Sequence, residues 1–193
     1  MNYPKGMKPA NQTNIKKETN YGNRGMSLEN DINETNKYYI EKNIAFIYKK
    51  PTPIQITKVD YGSKGKVIKE AFFKEPSTTD YNGLYKGRYI DFEAKETTLT
   101  TSFPLQNIHP HQIRHIENIV NNGGIAFLIV RFSKKNENFI LFGEDFLSYI
   151  KTNDKKSIPL SYFLEKGKKI EEKYIPRLDY LKIVDEYMEV FYG

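Results

Sequence analysis

Six consecutive residues, Ile-Ala-Phe-Leu-Ile-Val at positions 125–130, carry no polar side chain, and that run limits what the chain can build. A strand with one wet face alternates apolar and polar positions. A strand apolar at every position needs both faces covered, as in the middle of a sheet between layers of helices. The run is too short to cross a bilayer, which takes about 20 apolar residues. It is bracketed by Asn-Asn-Gly-Gly at 121–124 and a polar loop at 133–138. A mixed central sheet flanked by helices follows, hence an α/β or α+β fold.

The remaining pattern supplies the layers. Ser27 is a candidate N-cap, and Leu28, Ile32, Tyr39 and Ile40 recur at helical spacing, which predicts a helix over 28–42. Glu29 and Asp31 fall in its first turn, where carboxylates complement the helix dipole. Pro110 suits the start of a second helix carrying Ile113, Ile116, Ile119 and Val120, ended by residues 121–124. Residues 146–150 and 161–165 read as short helices, and 178–184 fits a strand or a helix equally. Strands are expected at 44–48, 78–81, 88–96 and 139–142. The signals Asn82-Gly83 and Lys86-Gly87 make the turn between the second and third of these. Residues 54–59 and 67–73, across Gly62-Ser-Lys-Gly65, predict a protruding β-hairpin over about 54–75.

At 193 residues the length suits one domain with appendages. Residues 1–25 hold Lys5, Lys8, Lys16, Lys17 and Arg24 against the single anion Glu18, with little to bury. They read as a flexible basic arm, either solvated or in contact with DNA, ahead of a compact unit over 26–193. The net charge of +6 and a pI near 9.2 favour polyanionic partners. With no cysteine, disulfides, thiolate zinc sites and cysteine nucleophiles are excluded. No signal peptide or membrane span is recognisable, so the expected location is the cytoplasm.

The chemistry concentrates in Tyr-Ile-Asp-Phe-Glu-Ala-Lys-Glu-Thr at 89–97. On a strand, Glu93 and Lys95 share a face about 6.6 Å apart and both reach one phosphate group. A carboxylate holds a hard divalent ion that binds a phosphate oxygen, and an adjacent ammonium neutralises charge in the transition state. Asp80, across the turn, is the natural source of a second carboxylate. Glu-x-Lys on a strand is more often a solvated edge with a weak ion pair, and Asp91 is expected at a surface or in turn pairing. His111 and His115 lie one helical turn apart, as zinc ligands often do. No third ligand follows, so with His109 they are expected to line the DNA side of the helix or to cap it. Tyr81 and Tyr85, beside Asp80, are candidates for stacking on bases, although packing explains most of the 15 tyrosines.

Four strings, KKPTPIQI (49–56), PSTTDYNGLYKGRYIDFEAKET (76–97), TSFPLQNIHPHQI (101–113) and PRLDY (176–180), resemble the RecU family of Holliday junction resolvases in content and order, over roughly residues 21–184. The resemblance implies a restriction-endonuclease-like core and a homodimer. It implies Mg²⁺ as cofactor, with Mn²⁺ expected to substitute, and four-way junctions and other branched DNA as substrate. Cleavage leaving a 5′-phosphate and a partner of the RecA recombinase type are also implied. By matching position, Thr78, Asp80, Glu93 and Gln112 resemble the family's metal site and Lys95 its transition-state stabiliser. The hairpin resembles the family's stalk, where Lys58, Lys64, Lys66 and Lys69, with Arg24 of the arm, are candidate DNA contacts. Two other readings remain open, a nuclease of this fold acting on flaps or linear duplex, and a non-catalytic junction-binding or strand-annealing protein.

Overall fold

The structure, a computed structural model, describes residues 27–62, 65–74 and 78–192; the basic arm, Arg24 and Lys64 lie outside them. The chain runs α1 (Leu28–Glu41), β1 (Phe46–Lys49), β2 (Ile54–Gly62), β3 (Gly65–Phe73), β4 (Tyr81–Tyr85), β5 (Arg88–Thr97) and β6 (Ser102–Pro104). It continues through α2 (Pro110–Asn121), β7 (Ile125–Phe132), β8 (Glu137–Phe142), α3 (Gly143–Thr152), β9 (Ser157–Pro159), α4 (Leu160–Glu165), β10 (Lys168–Ile170) and α5 (Tyr180–Tyr192). Ser27 caps α1 by accepting from the Asn30 N–H, and Pro110 opens α2.

Six strands form the central sheet in the order β1-β4-β5-β7-β8-β10. The β5–β7 pair is parallel and the others are antiparallel, because the chain crosses over through α2 between β5 and β7. Every residue of β7 is buried. On one side, Ile125, Phe127 and Ile129 pack with Ile90 and Phe92 against Leu28 and Ile32 of α1 and Tyr180 and Val184 of α5. On the other, Ala126, Leu128 and Val130 meet Ile116 of α2, Phe146 of α3 and Phe163 of α4. The sheet is therefore a layer between helices, with β7 at its centre.

Four local expectations change. The strand placed at 78–81 begins at Tyr81, so Asp80 precedes it and Asn82-Gly83 lies inside β4. Gly83 serves close approach rather than a turn: a Cβ there would come 2.0 Å from the Phe46 carbonyl oxygen on β1. The turn belongs to Lys86 and Gly87, at φ +46 and +76. The undecided stretch 178–184 becomes helical from Tyr180. Asp31 is buried beneath α1, where it pairs with Arg131 at 2.6 Å and Arg177 at 3.1 Å, so capping is not its main task. The short strands β6, β9 and β10 escape pattern reading because three residues carry no period.

The hairpin exists as β2 and β3, paired only with each other, and all its described residues are exposed except half-buried Val59. Its base closes where the Lys74 N–H donates to the Pro53 carbonyl at 2.9 Å. Among the described residues no helix is long and apolar enough to cross a membrane.

Candidate metal centre and active site

The register between β4 and β5 sets the geometry. Tyr81 lies opposite Phe92, and their rings stack at 4.8 Å with planes 7° apart. One step beyond the strand, Asp80 faces Glu93, and its N–H donates to Glu93 Oε2 at 3.1 Å. Lys50, just past β1, extends the ladder by donating its N–H to the Asp80 carbonyl at 2.7 Å. The two acidic residues thus meet because aromatic packing fixes the register of the strands beside them.

Glu93 is fully buried. Its Oε1 lies 2.5 Å from Lys95 Nζ, yet it finds no hydrogen bond of good geometry among the described residues. Burial is the first cause that pushes the Glu93 carboxyl up to about 8, and the neighbouring Asp80 carboxyl adds to it by hydrogen bond and charge, while Lys95 pulls the other way. Two carboxyl groups crowded together, one with an unsatisfied buried oxygen, match what a hard divalent cation relieves. Among the described residues no three His, Cys, Asp or Glu side chains form a ready metal cage. A cation here would depend on two carboxylates, neutral protein oxygens, water and phosphate, a set that suits Mg²⁺.

Thr78 lines a cavity of about 250 Å³ with Glu29, Lys49, Lys50, Thr79 and Asp80, and its hydroxyl donates to the Thr79 carbonyl at 3.3 Å. Gln112 comes from the opposite side. Glu93 pairs with Leu128, whose side packs against Ile116 of α2, and Gln112 lies one turn ahead of Ile116. Its Oε1 accepts the His109 N–H at 2.9 Å, so in this arrangement the amide helps close the start of α2. Glu93 touches both Asp80 and Lys95, and Thr78 and Gln112 make local hydrogen bonds of their own.

The other candidates divide by region. Lys58, Lys66 and Lys69 stand exposed on the hairpin, Lys69 pairing with Asp60 at 3.4 Å and Lys66 lying 5.6 Å from the Tyr61 ring centroid. Tyr81 and Tyr85 are buried, their hydroxyls donating to Asn33 and Asp185, so they pack rather than await bases. His109 holds the N-cap position of α2 and stacks on His111 at 5.4 Å.

Asp91 overturns its expected surface role. It is fully buried, with Lys50 Nζ at 2.8 Å, Tyr89 OH at 3.0 Å, His115 Nε2 at 3.2 Å and the Thr79 hydroxyl against Oδ1. The available signal was alternation, since Asp91 shares the face of Glu93.

The sequence model of the recombination protein U family matches residues 23–186. The Holliday junction resolvase RecU of Bacillus cytotoxicus is 50% identical over 187 residues, covering 95% of this chain and 92% of its own. The proteins of the same name from Bacillus thuringiensis strain Al Hakam and Bacillus anthracis strain A0248 are each 49% identical over 192 residues, covering 95% of this chain and 96% of theirs. With matches of this extent, the chain belongs to the RecU family.

Proposed function

We propose that this chain resolves four-way DNA junctions by paired symmetric nicks, using Mg²⁺ held by Asp80 and Glu93 beside Lys95. That it is a junction-cleaving endonuclease follows from its family. The observation that carries the site is the crowded Asp80–Glu93 carboxyl pair with the Lys95 ammonium 2.5 Å from Glu93. A divalent cation bound there would supply Lewis-acid polarisation of the scissile phosphate and a nucleophilic water.

The protein's own groups do the rest. Asp80, one step before β4, and Glu93 on β5 present oxygen from cross-strand neighbouring positions, so the β4–β5 register sets their spacing. Thr78 and Gln112 add neutral oxygens, Gln112 by leaving its bond to the His109 N–H. Lys95 sets a positive charge where negative charge builds on the phosphate, stabilising the transition state. The start of α2, opened by Pro110, would add the positive pole of its helix dipole on the side of Gln112. Cleavage leaving a 5′-phosphate is what the resemblance to the RecU family implies for this reaction.

The sheet and its helices correspond in this reading to a restriction-endonuclease-like core within a nuclease domain over 26–193, and β2–β3 to a stalk that enters the junction. Two copies about a two-fold axis would place equivalent sites on opposing strands, as paired nicking requires. The setting is cytoplasmic recombination and repair, alongside a RecA-type recombinase.

A mobile synthetic four-way junction, a flap and a linear duplex, each with and without Mg²⁺, test the reading together. Symmetric cleavage of the junction in Mg²⁺ alone is expected; equal cutting of all three would favour a flap or duplex nuclease. Asp80→Ala and Glu93→Ala should bind the junction yet lose cleavage by on the order of a thousandfold. Wild-type cutting by either would refute the site, and junction binding by the wild type with no cleavage of any substrate in Mg²⁺ would favour a non-catalytic annealing protein. Deleting residues 58–68 should reduce junction cleavage far more than duplex binding.

A further inference from the structure

We infer that Asp91 is the positioning residue of this centre, tying the Thr78–Asp80 segment and the helix that carries Gln112 to the strand that carries Glu93. The inference rests on the metal-centre reading above and goes beyond it by naming what sets the spacing of the ligands.

Asp91 lies two residues before Glu93 on the same face of β5 and has no solvent exposure. A carboxylate is costly to bury unless partners satisfy it, so the identity of the partners shows what the site is built around. Oδ1 accepts from the hydroxyl of Thr79, the residue between the proposed ligands Thr78 and Asp80. Oδ2 accepts from Lys50 Nζ at 2.8 Å and Tyr89 OH at 3.0 Å. Lys50 Nζ also donates to Thr79 Oγ1 at 3.0 Å, closing a three-membered ring of side chains, while the Lys50 N–H holds the Asp80 carbonyl.

The remaining contact is His115 Nε2, 3.2 Å from Oδ2. His115 follows Gln112 by three residues, so it fixes the rotation of α2 that presents Gln112 to the Glu93 face. One buried oxygen pair therefore joins every segment that offers a proposed ligand. Groups outside the coordination shell that orient its ligands typically change metal affinity ten- to hundredfold when removed.

The test uses the full chain without DNA, titrated with Mn²⁺ by calorimetry or electron paramagnetic resonance. Asp91→Asn keeps the shape and removes the charge-assisted bonds. It should weaken Mn²⁺ binding by roughly tenfold or more. In cleavage assays the Mg²⁺ needed for half-maximal rate should rise by the same factor, with the rate at saturating Mg²⁺ within a few-fold of wild type. In chelator, the Asp80 amide bonded to Glu93 should exchange hydrogen faster.

Thr79→Val breaks the same link from the other side, so the double variant should bind Mn²⁺ no worse than Asp91→Asn alone. Unchanged Mn²⁺ affinity, with junction binding, saturated rate and melting temperature falling together, would overturn the inference and leave Asp91 a packing residue. Should Asp91→Asn fail to fold, Thr79→Val and His115→Gln carry the test, and wild-type Mn²⁺ affinity in both would overturn it. Asp80→Ala separates the two levels. If it binds Mn²⁺ as tightly as wild type, the metal-centre reading fails; if it loses Mn²⁺ while Asp91→Asn keeps it, only the positioning inference fails.

Discussion

Strand β5 is 10 residues long and β3 is 9, and both pair antiparallel with the strand before them, yet they live in different solvents. Four consecutive residues of β5, Ile90 to Glu93, are buried, and Phe92 stacks on both Tyr81 and Phe127 at 4.8 Å. Every residue of β3 is exposed, Phe72 and Phe73 among them. The ladder between β2 and β3 also slips around Lys58. An isolated two-stranded hairpin is marginal in water, so the ribbon's shape is set weakly while the sheet's is set hard. Contacts that hold a phosphate within a few tenths of an ångström belong on the rigid pair. An element that must fit a branched, variable DNA surface can belong to the compliant one.

The largest contrast should come from paired aromatic truncations. Phe92→Ala removes a fully buried ring from between two others and should cost about 3–5 kcal/mol of folding stability. Phe72→Ala, on the exposed ribbon, should stay within about 0.5 kcal/mol. Chemical denaturation measures both. Similar losses at the two positions would mean that the ribbon is packed against something in solution and that the division drawn here is false.

A second, smaller effect sharpens the core side. Glu93 is held up to about 8 first by burial and then by Asp80, whereas in the unfolded chain a glutamate titrates near about 4.3. Between those values the folded protein keeps a proton that the unfolded chain has lost, so stability falls as pH rises. The slope is at most about 1.4 kcal/mol per pH unit, or about 2 kcal/mol between pH 6 and pH 8. Denaturation in chelator at several pH values should show this fall, and Glu93→Gln should flatten it. An equal slope in both proteins would place the proton elsewhere.

What could be read in the sequence follows the same division between near and far causes. The run at 125–130, the Ser27 cap and Pro110 at the head of α2 are local features, and each element formed where its own residues demanded. The same holds for Glu93 and Lys95, whose shared face needs only the two-residue period of a strand. Gly83 was misleading because its reason lies on β1, in the backbone of Phe46. Asp91 was expected at a surface and Asp31 at the dipole of its helix because the partners that bury them include remote ones, His115 by 24 residues and Arg131 by 100. Pattern reading sees polarity and period. It does not see which buried cation a folded chain will bring to a carboxylate.

The smallest effects concern the ribbon's lysines, and they test whether compliance and binding go together. Lys69 faces Asp60 at 3.4 Å with both side chains more than half exposed, a pair worth at most a few tenths of a kcal/mol to about 1 kcal/mol. Lys58→Ala, Lys66→Ala and Lys69→Ala should therefore leave the melting temperature almost unchanged. If these ammonium groups neutralise phosphates, each substitution releases one fewer counterion on binding and lowers the slope of log affinity against log salt by about one. The loss should be similar for four-way junctions of different sequence, since phosphate contacts carry no base information. A salt slope equal to wild type in all three variants, measured by gel shift across a salt series, would remove the ribbon from the DNA interface. The exposed carbon surface of Ile54, Ile56, Phe72 and Phe73 would then be the feature that explains why the chain maintains a projection its core does not need.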